Sequence, residues 1–162
     1  MYSNEIEIYP DIIVWLENRL NGDFGRKAEK ITVKDTHDKD LTAFIFDLNY
    51  QQYFPDFTTY KIRQDITGFV EYKDKVELVF VEVKIGKLML KDLSQLIGYS
   101  CVPKPFPIVS ILISPGGMGT TLSKLLTSYN RTDILEFRPG RKIEVLKWDE
   151  VKQDIDFMNS IT

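Results

Sequence analysis

The stretch Val76-Glu-Leu-Val-Phe-Val-Glu-Val-Lys-Ile85 constrains this chain more than any other. It is a near-continuous run of β-branched and aromatic residues, the pattern of a strand covered on both faces. Side chains alternate along a strand, so Leu78 and Phe80 share one face with Glu82 and Lys84, while Val79, Val81, Val83 and Ile85 take the other. Two ionisable groups therefore emerge at the end of a core strand. Left uncompensated there, each would cost roughly several kcal/mol, so the fold must bring them partners.

One partner follows from the preceding residues. With Lys73-Asp74 as a two-residue hairpin turn, Tyr72 faces Lys75, and counting outward sets Asp65 opposite Glu82. Directly opposed residues share a face with Cβ atoms about 4.5–5.5 Å apart. Two such carboxylates repel unless a cation lies between them. Mg²⁺ takes hard oxygen ligands in octahedral geometry and keeps several waters, which suits one or two carboxylates plus a backbone carbonyl.

Asp65 followed by Glu82-Val83-Lys84 resembles the signature of the PD-(D/E)XK nuclease superfamily, with Gln64 where the family has its proline. Glu7-Ile-Tyr-Pro10, opening the amphipathic segment Asp11 to Leu20, is similar to the family's first helix with its acidic residue. Gln95-Leu-Ile-Gly-Tyr99 is similar to the QxxxY element of the RecB-type branch, and residues four apart lie on one helix face. The resemblance covers residues 5–115, roughly, and rests on order and spacing together. It implies an α/β domain spanning residues 1–162, with a restriction-endonuclease-like mixed central sheet flanked by helices and the site at one sheet edge. It also implies Mg²⁺-dependent hydrolysis of nucleic-acid phosphodiesters, Mn²⁺ serving as substitute and DNA standing ahead of RNA as substrate. Asp65, Glu82 and the Val83 carbonyl would hold the metal. Lys84 would activate the attacking water and offset phosphoryl charge without taking part in metal binding. Glu7 would act from the outer shell or on a second metal, and Gln95 and Tyr99 would position site and substrate. A homodimer is left open. The alternative reading is a nuclease-fold module without catalysis that binds nucleic acid or a protein.

Composition narrows the alternatives. With 162 residues, 43% of them hydrophobic, the chain has material for one core. No run is long or apolar enough to span a bilayer and no signal-peptide core is present, which sets a cytoplasmic expectation. The single cysteine, Cys101, excludes a disulfide framework and a four-cysteine cluster. The single histidine, His37, lies in the polar run Asp35 to Asp40 and argues against a His-rich zinc site. A net charge of −3 opposes a high-affinity nucleic-acid binder. Lys61, Arg63, Lys84, Lys87, Lys91 and Lys104 form either a local basic patch around the site or a solvated rim.

Elsewhere the pattern predicts a helix over Tyr9–Leu20 stopped at Asn21-Gly22, a strand over Lys30–Lys34 and an ambiguous apolar segment, Leu41–Tyr50. A helix over Leu90–Val102 ends before Pro103, and a buried strand over Pro107–Ser114 runs parallel to Val76–Ile85 through a helical crossover. A helix over Met118–Tyr129 and strands near Ile134–Phe137 and Lys142–Leu146 complete the sheet. Ser114-Pro-Gly-Gly-Met-Gly-Thr-Thr121 invites a phosphate-loop reading. It lacks the Lys-Ser/Thr ending, so a strand-to-helix turn is the better expectation.

Overall fold

A computed structural model describes all 162 residues. The elements run α1 (Glu5–Phe24), β1 (Lys30–Asp35), α2 (Leu41–Asp47), β2 (Ile66–Glu71), β3 (Val76–Val83), α3 (Leu90–Ser100), β4 (Val109–Ser114), α4 (Thr120–Ser123), β5 (Glu136–Arg138), β6 (Arg141–Asp149) and β7 (Asp154–Ile155). The strands form one open sheet in the order β1-β2-β3-β4-β6-β5, with β7 also pairing β6. Strands β3, β4 and β6 are parallel neighbours, and β1, β2, β5 and β7 join antiparallel. The molecule is therefore α/β with a mixed seven-stranded sheet flanked by four helices. None of those helices is long and apolar enough to cross a membrane.

The alternation along β3 divides the interior as the sequence pattern requires. Leu78 and Phe80 belong to a core on the α2 and α3 side, with Phe54, Tyr60, Leu93, Leu96 and Leu112. Val79, Val81 and Val83 belong to a second core under α1, with Ile8, Ile12, Leu16 and Leu20. Each such side chain, fully buried, contributes about 1.5–3 kcal/mol of transfer free energy. Helix α1 comes close at Gly68 of β2, where an added Cβ would lie 3.0 Å from Leu20 Cδ1 and 3.1 Å from Val79 Cβ. A Cβ there would require Leu20 or Val79 to shift by a few tenths of an ångström.

The hairpin register is the expected one. Glu71 pairs Val76 and Ile66 pairs Val81, and the Tyr72 N–H donates to the Lys75 carbonyl at 2.8 Å. Just outside that ladder the Asp65 carboxylate accepts the Val83 N–H at 2.7 Å, which brings its charge to bear on Glu82 at the end of β3. Helix α3 then carries the chain over to β4, parallel to β3, with Val79 opposite Val109.

Several elements differ from the sequence pattern in extent. Helix α1 begins a turn before Tyr9 because Asn4 caps it, its side chain accepting the Glu7 N–H at 3.2 Å. Pro10 consequently lies inside the helix, where only the one hydrogen bond to the Ile6 carbonyl is lost. The helix also runs through Asn21-Gly22 to Phe24. The ambiguous segment resolves as α2, and the segment after Gly119 makes one α-helical turn before widening into a π-type turn over Lys124–Ser128. Ile134 lies in a 3₁₀ turn rather than a strand, and β6 extends to Asp149.

The glycine-rich turn has a packing explanation. An added Cβ on Gly116 would sit 2.7 Å from the Gly86 carbonyl carbon, and Leu88 bridges Met118. The loop after β3 thus lies directly on the loop after β4, and Ser114 Oγ donates to the Gly86 carbonyl. Glycine is required at position 116 for close approach of two backbones.

Candidate active site

The C-terminal end of β3 gathers the ionisable groups. It lies at the strand ends of the sheet, between β2 and β4 in the strand order. Glu82 is only 3% exposed. Its Oε1 accepts from Lys84 Nζ at 2.8 Å and from Gln95 Nε2 at 3.1 Å. Burial, and next the charge of Asp65, push the Glu82 carboxyl up to about 7. That repulsion is the electrostatic mark of the opposed carboxylates in the hairpin.

Asp65 enters at the start of β2. Its Oδ2 accepts the Val83 N–H at 2.7 Å and its Oδ1 accepts the Tyr9 hydroxyl at 2.7 Å. Burial, followed by the hydrogen bond to Asp65, raises the Tyr9 phenol well above its ordinary value, so it stays a donor. The preceding residue, Gln64, is buried at 2% exposure with no hydrogen-bond partner for its amide.

Lys84 follows β3 directly. Its ammonium donates to Glu82 Oε1 and, at 3.1 Å, to the Val83 carbonyl, and lies 3.7 Å from Glu5 Oε1. Burial alone would lower its pKa, but the Glu82 hydrogen bond and the charges of Glu82, Asp65 and Glu5 carry it upward. Within the pair, Lys84 keeps its proton and Glu82 is the group that titrates near neutrality. The ammonium thus occupies the place between Glu82 and the Val83 carbonyl that the sequence assigns to a metal.

Glu7 is not part of this cluster. It is exposed and tied to the start of α1: its Oε2 accepts the Ser3 N–H at 2.8 Å and its Oε1 the Asn4 Nδ2 at 3.1 Å. Ser3 and Asn4 hold its carboxyl below the usual range. Glu5 stands beside Lys84 instead. The signal for this was present in the apolar stripe of α1, since Ile8, Tyr9, Ile12, Leu16 and Leu20 are its buried residues. One turn back from Tyr9 along that stripe is Glu5, not Glu7.

On α3, Gln95 reaches Glu82 although it remains solvent-exposed, whereas Tyr99 packs against the core and makes no hydrogen bond to the cluster. Lys104 belongs to the other end of the sheet, where its N–H donates to the Tyr60 hydroxyl at 3.0 Å and nearby Ile108 pairs with Leu78. Lys87 and Lys91 are exposed near α3, and Arg63 pairs with Asp40 at 3.2 Å.

The oxygens of Asp65, Glu82, Val83 and Glu5 are the hard donors that suit Mg²⁺ with retained waters. No three acidic, histidine or cysteine side chains are grouped closely enough to cage an ion by themselves. In this arrangement both Asp65 oxygens, Glu82 Oε1 and the Val83 carbonyl already accept protein hydrogen bonds. Tyr9 and His37 complete the surroundings, their rings 5.7 Å apart, with His37 Nδ1 2.5 Å from Asp35 Oδ1. No known protein-family model matches this chain, and no curated protein is significantly similar to it.

Proposed function

We propose that this chain is a Mg²⁺-dependent phosphodiesterase of the PD-(D/E)XK type acting on nucleic acid, with DNA ahead of RNA. The observation that carries the reading is Glu82: a carboxylate buried at the end of an interior strand, pushed up to about 7, facing a second carboxylate and bonded by a lysine and an amide. Such clusters of perturbed groups concentrate at functional sites. The β2–β3 hairpin, the α3 crossover and the parallel β4 support a restriction-endonuclease-like fold.

Asp65, Glu82 and the Val83 carbonyl would hold the metal, which when bound supplies an activated water and charge stabilisation. Lys84 must leave Glu82 and the Val83 carbonyl for those oxygens to serve, and Glu5 at 3.7 Å offers it the nearest alternative anion. From there its ammonium offsets charge developing on the phosphoryl oxygens. Gln95 fixes the orientation of Glu82, and Tyr9 fixes that of Asp65. Tyr99 supports the α3 face that presents Gln95.

A second reading, a non-cleaving module that binds nucleic acid or a protein, is favoured by the internal satisfaction of the cluster. Both Asp65 oxygens already accept protein hydrogen bonds and Lys84 already neutralises Glu82. A Mn²⁺ cleavage panel of plasmid, linear duplex, single-stranded and branched DNA separates the two. Cleavage of at least one substrate, abolished by a chelator and by Glu82→Gln, is the expected result. No cleavage by wild type, together with equal Mn²⁺-induced thermal stabilisation of wild type and Asp65→Asn, would leave only the binding module.

A further inference from the structure

The first three strands end side by side at the candidate site. Asp35 pairs with Ile66, and the Thr36 N–H donates to the Asp65 carbonyl at 2.9 Å, so the chain at residues 36–37 runs beside residues 64–65. Strand spacing is about 4.8 Å, which places the end of β1 roughly 10 Å from the end of β3. Helix α1 lies across all three ends. Glu5 reaches Lys84 after β3, and Tyr9, one turn later on the same face, reaches Asp65 before β2 and packs on His37 after β1.

The charge balance here is unfavourable to an anionic substrate. Facing His37 or its neighbours are the carboxylates of Glu5, Asp35, Asp38, Asp65 and Glu82 and the phenol of Tyr9. Against them stand Lys84, already bonded to Glu82, and Arg63, already paired with Asp40. His37 is differently placed. Its Nδ1 is held by Asp35 at 2.5 Å, Asp35 Oδ1 also accepts the His37 N–H at 3.2 Å, and Nε2 has no protein partner. A carboxylate on Nδ1 fixes the proton there and leaves Nε2 to face whatever approaches from solvent.

We infer that His37 is a substrate-contacting residue of the proposed nuclease: with Nδ1 held by Asp35, its Nε2 donates to a phosphate oxygen of the strand lying across Asp65. The inference rests on the nuclease reading and adds to it a second cationic contact, on the opposite side of Asp65 from Lys84. The hydrogen bond to Asp35, with the charges of Asp35, Asp38 and Asp65, raises the imidazole pKa and so favours the donating form.

His37 is the only histidine of the chain, so its ring signals are unambiguous in an NMR spectrum of the untagged protein. An oligothymidylate is added to metal-free protein in chelator, where no cleavage occurs. The His37 ring resonances should shift saturably and its titration midpoint should move upward. His37→Gln should bind the strand about tenfold more weakly, the worth of one charge-assisted hydrogen bond. The slope of log affinity against log salt should also fall by roughly 0.7, one phosphate contact on a single strand. His37→Arg should restore both, and Mn²⁺-induced stabilisation should be the same in all three proteins. A turn residue without substrate contact would move neither the ring signals nor the salt slope. Cleavage by wild type with unmoved His37 signals and an unchanged His37→Gln would overturn this inference and leave the nuclease reading standing. Absence of cleavage by wild type on every substrate would remove both.

Discussion

Strand β3 carries a lysine–glutamate pair at each end, two residues apart in both cases, and the two pairs have nearly the same length. Lys75 Nζ lies 2.9 Å from Glu77 Oε1, and Lys84 Nζ lies 2.8 Å from Glu82 Oε1. Their surroundings differ. Lys75 is about half exposed and the pair stands at the hairpin turn, where solvent screening leaves such contacts worth about 0–1 kcal/mol. Glu82 is almost wholly buried, faces Asp65 and is bonded by Gln95. Distance alone does not distinguish a surface ion pair from a candidate active site. Desolvation and the presence of a second carboxylate do, because they turn one member into a group that titrates near neutrality.

The largest expected effect compares the same chemical change at the two ends. On the proposed nuclease reading, Glu82→Gln should lower kcat by at least about 10³-fold, because it would remove a proposed metal ligand. Glu77→Gln should leave cleavage within about twofold of wild type. Loss of activity in both would mean that the strand as a whole is being damaged, and the contrast would fail.

The next effect is on stability against pH. The Glu82 carboxyl rises from an ordinary 4.5 to about 7 on folding, so between those values the folded chain holds more protons than the unfolded one. Stability therefore falls as pH rises from 4.5 to about 7, by an amount on the order of 1–3 kcal/mol for this group. Urea melts across that window should show the decline in wild type and a flatter profile in Glu82→Gln. Glu77→Gln should keep the wild-type slope. A wild-type profile that rises through the window would show that Glu82 is stabilised as the carboxylate.

Lys84 tests the same cluster from the cationic side. Its ammonium holds the Glu82 carboxylate and the Val83 carbonyl, which are the donors assigned to a divalent ion. Two cations cannot share those oxygens without repulsion, so the resting lysine competes with metal. Lys84→Met should bind Mn²⁺ about tenfold more tightly by calorimetry at about pH 8.5, where Glu82 is ionised, even though cleavage is lost. Lys75→Met should bind as wild type does. Weaker Mn²⁺ binding in Lys84→Met would show that the ammonium helps assemble the site rather than competing for it. Mn²⁺ binding equal to wild type would instead restore the expectation, drawn from the sequence, that Lys84 acts on the reaction alone.

Much of this arrangement was legible in the residues. A two-residue turn fixes the β2–β3 register, and a one-residue slip would move Phe69, Leu78 and Phe80 into the opposite core and carry Glu82 to the α1 face. Asp65 beside Glu82 follows from that, whereas Gln95 comes from the resemblance to the QxxxY element, its spacing saying only that it shares a helix face with Tyr99. Glu5 was missed because Pro10 reads as a helix start, whereas the Asn4 cap sets the start earlier and shifts which acid lies on the buried stripe. For His37 the sequence says only that a lone histidine in a polar run argues against a His-rich zinc site. Tyr9 and Asp65 are distant from His37 in sequence, and only the packing of α1 on the sheet and the pairing of β1 with β2 bring them near. Tyr99 shares a helix face with Gln95, but the α3 end it occupies lies over core rather than over the carboxylates.

The smallest expected effect is at the hairpin. Lys75 also stands over the Tyr72 ring, 4.9 Å from its centroid, so its removal loses a screened ion pair and an exposed cation–π contact together. Each is worth about 0.5–1 kcal/mol at most in water, and part of both is offset by the side-chain entropy that Lys75 regains. Glu77 keeps 19% of its side chain exposed, against 4% for Glu82. Lys75→Ala should therefore change stability by no more than about 1 kcal/mol, with the difference shrinking further in high salt. Lys84→Ala should cost more well above pH 7, because Glu82 is then left buried and ionised without its cation, and the gap should narrow as the pH falls below about 7, where the carboxyl takes a proton. Thermal melts of the two variants at both pH values measure this directly. Equal losses at every pH would mean that burial adds nothing to the second pair and that β3 carries two surface ion pairs, not one ion pair and one site.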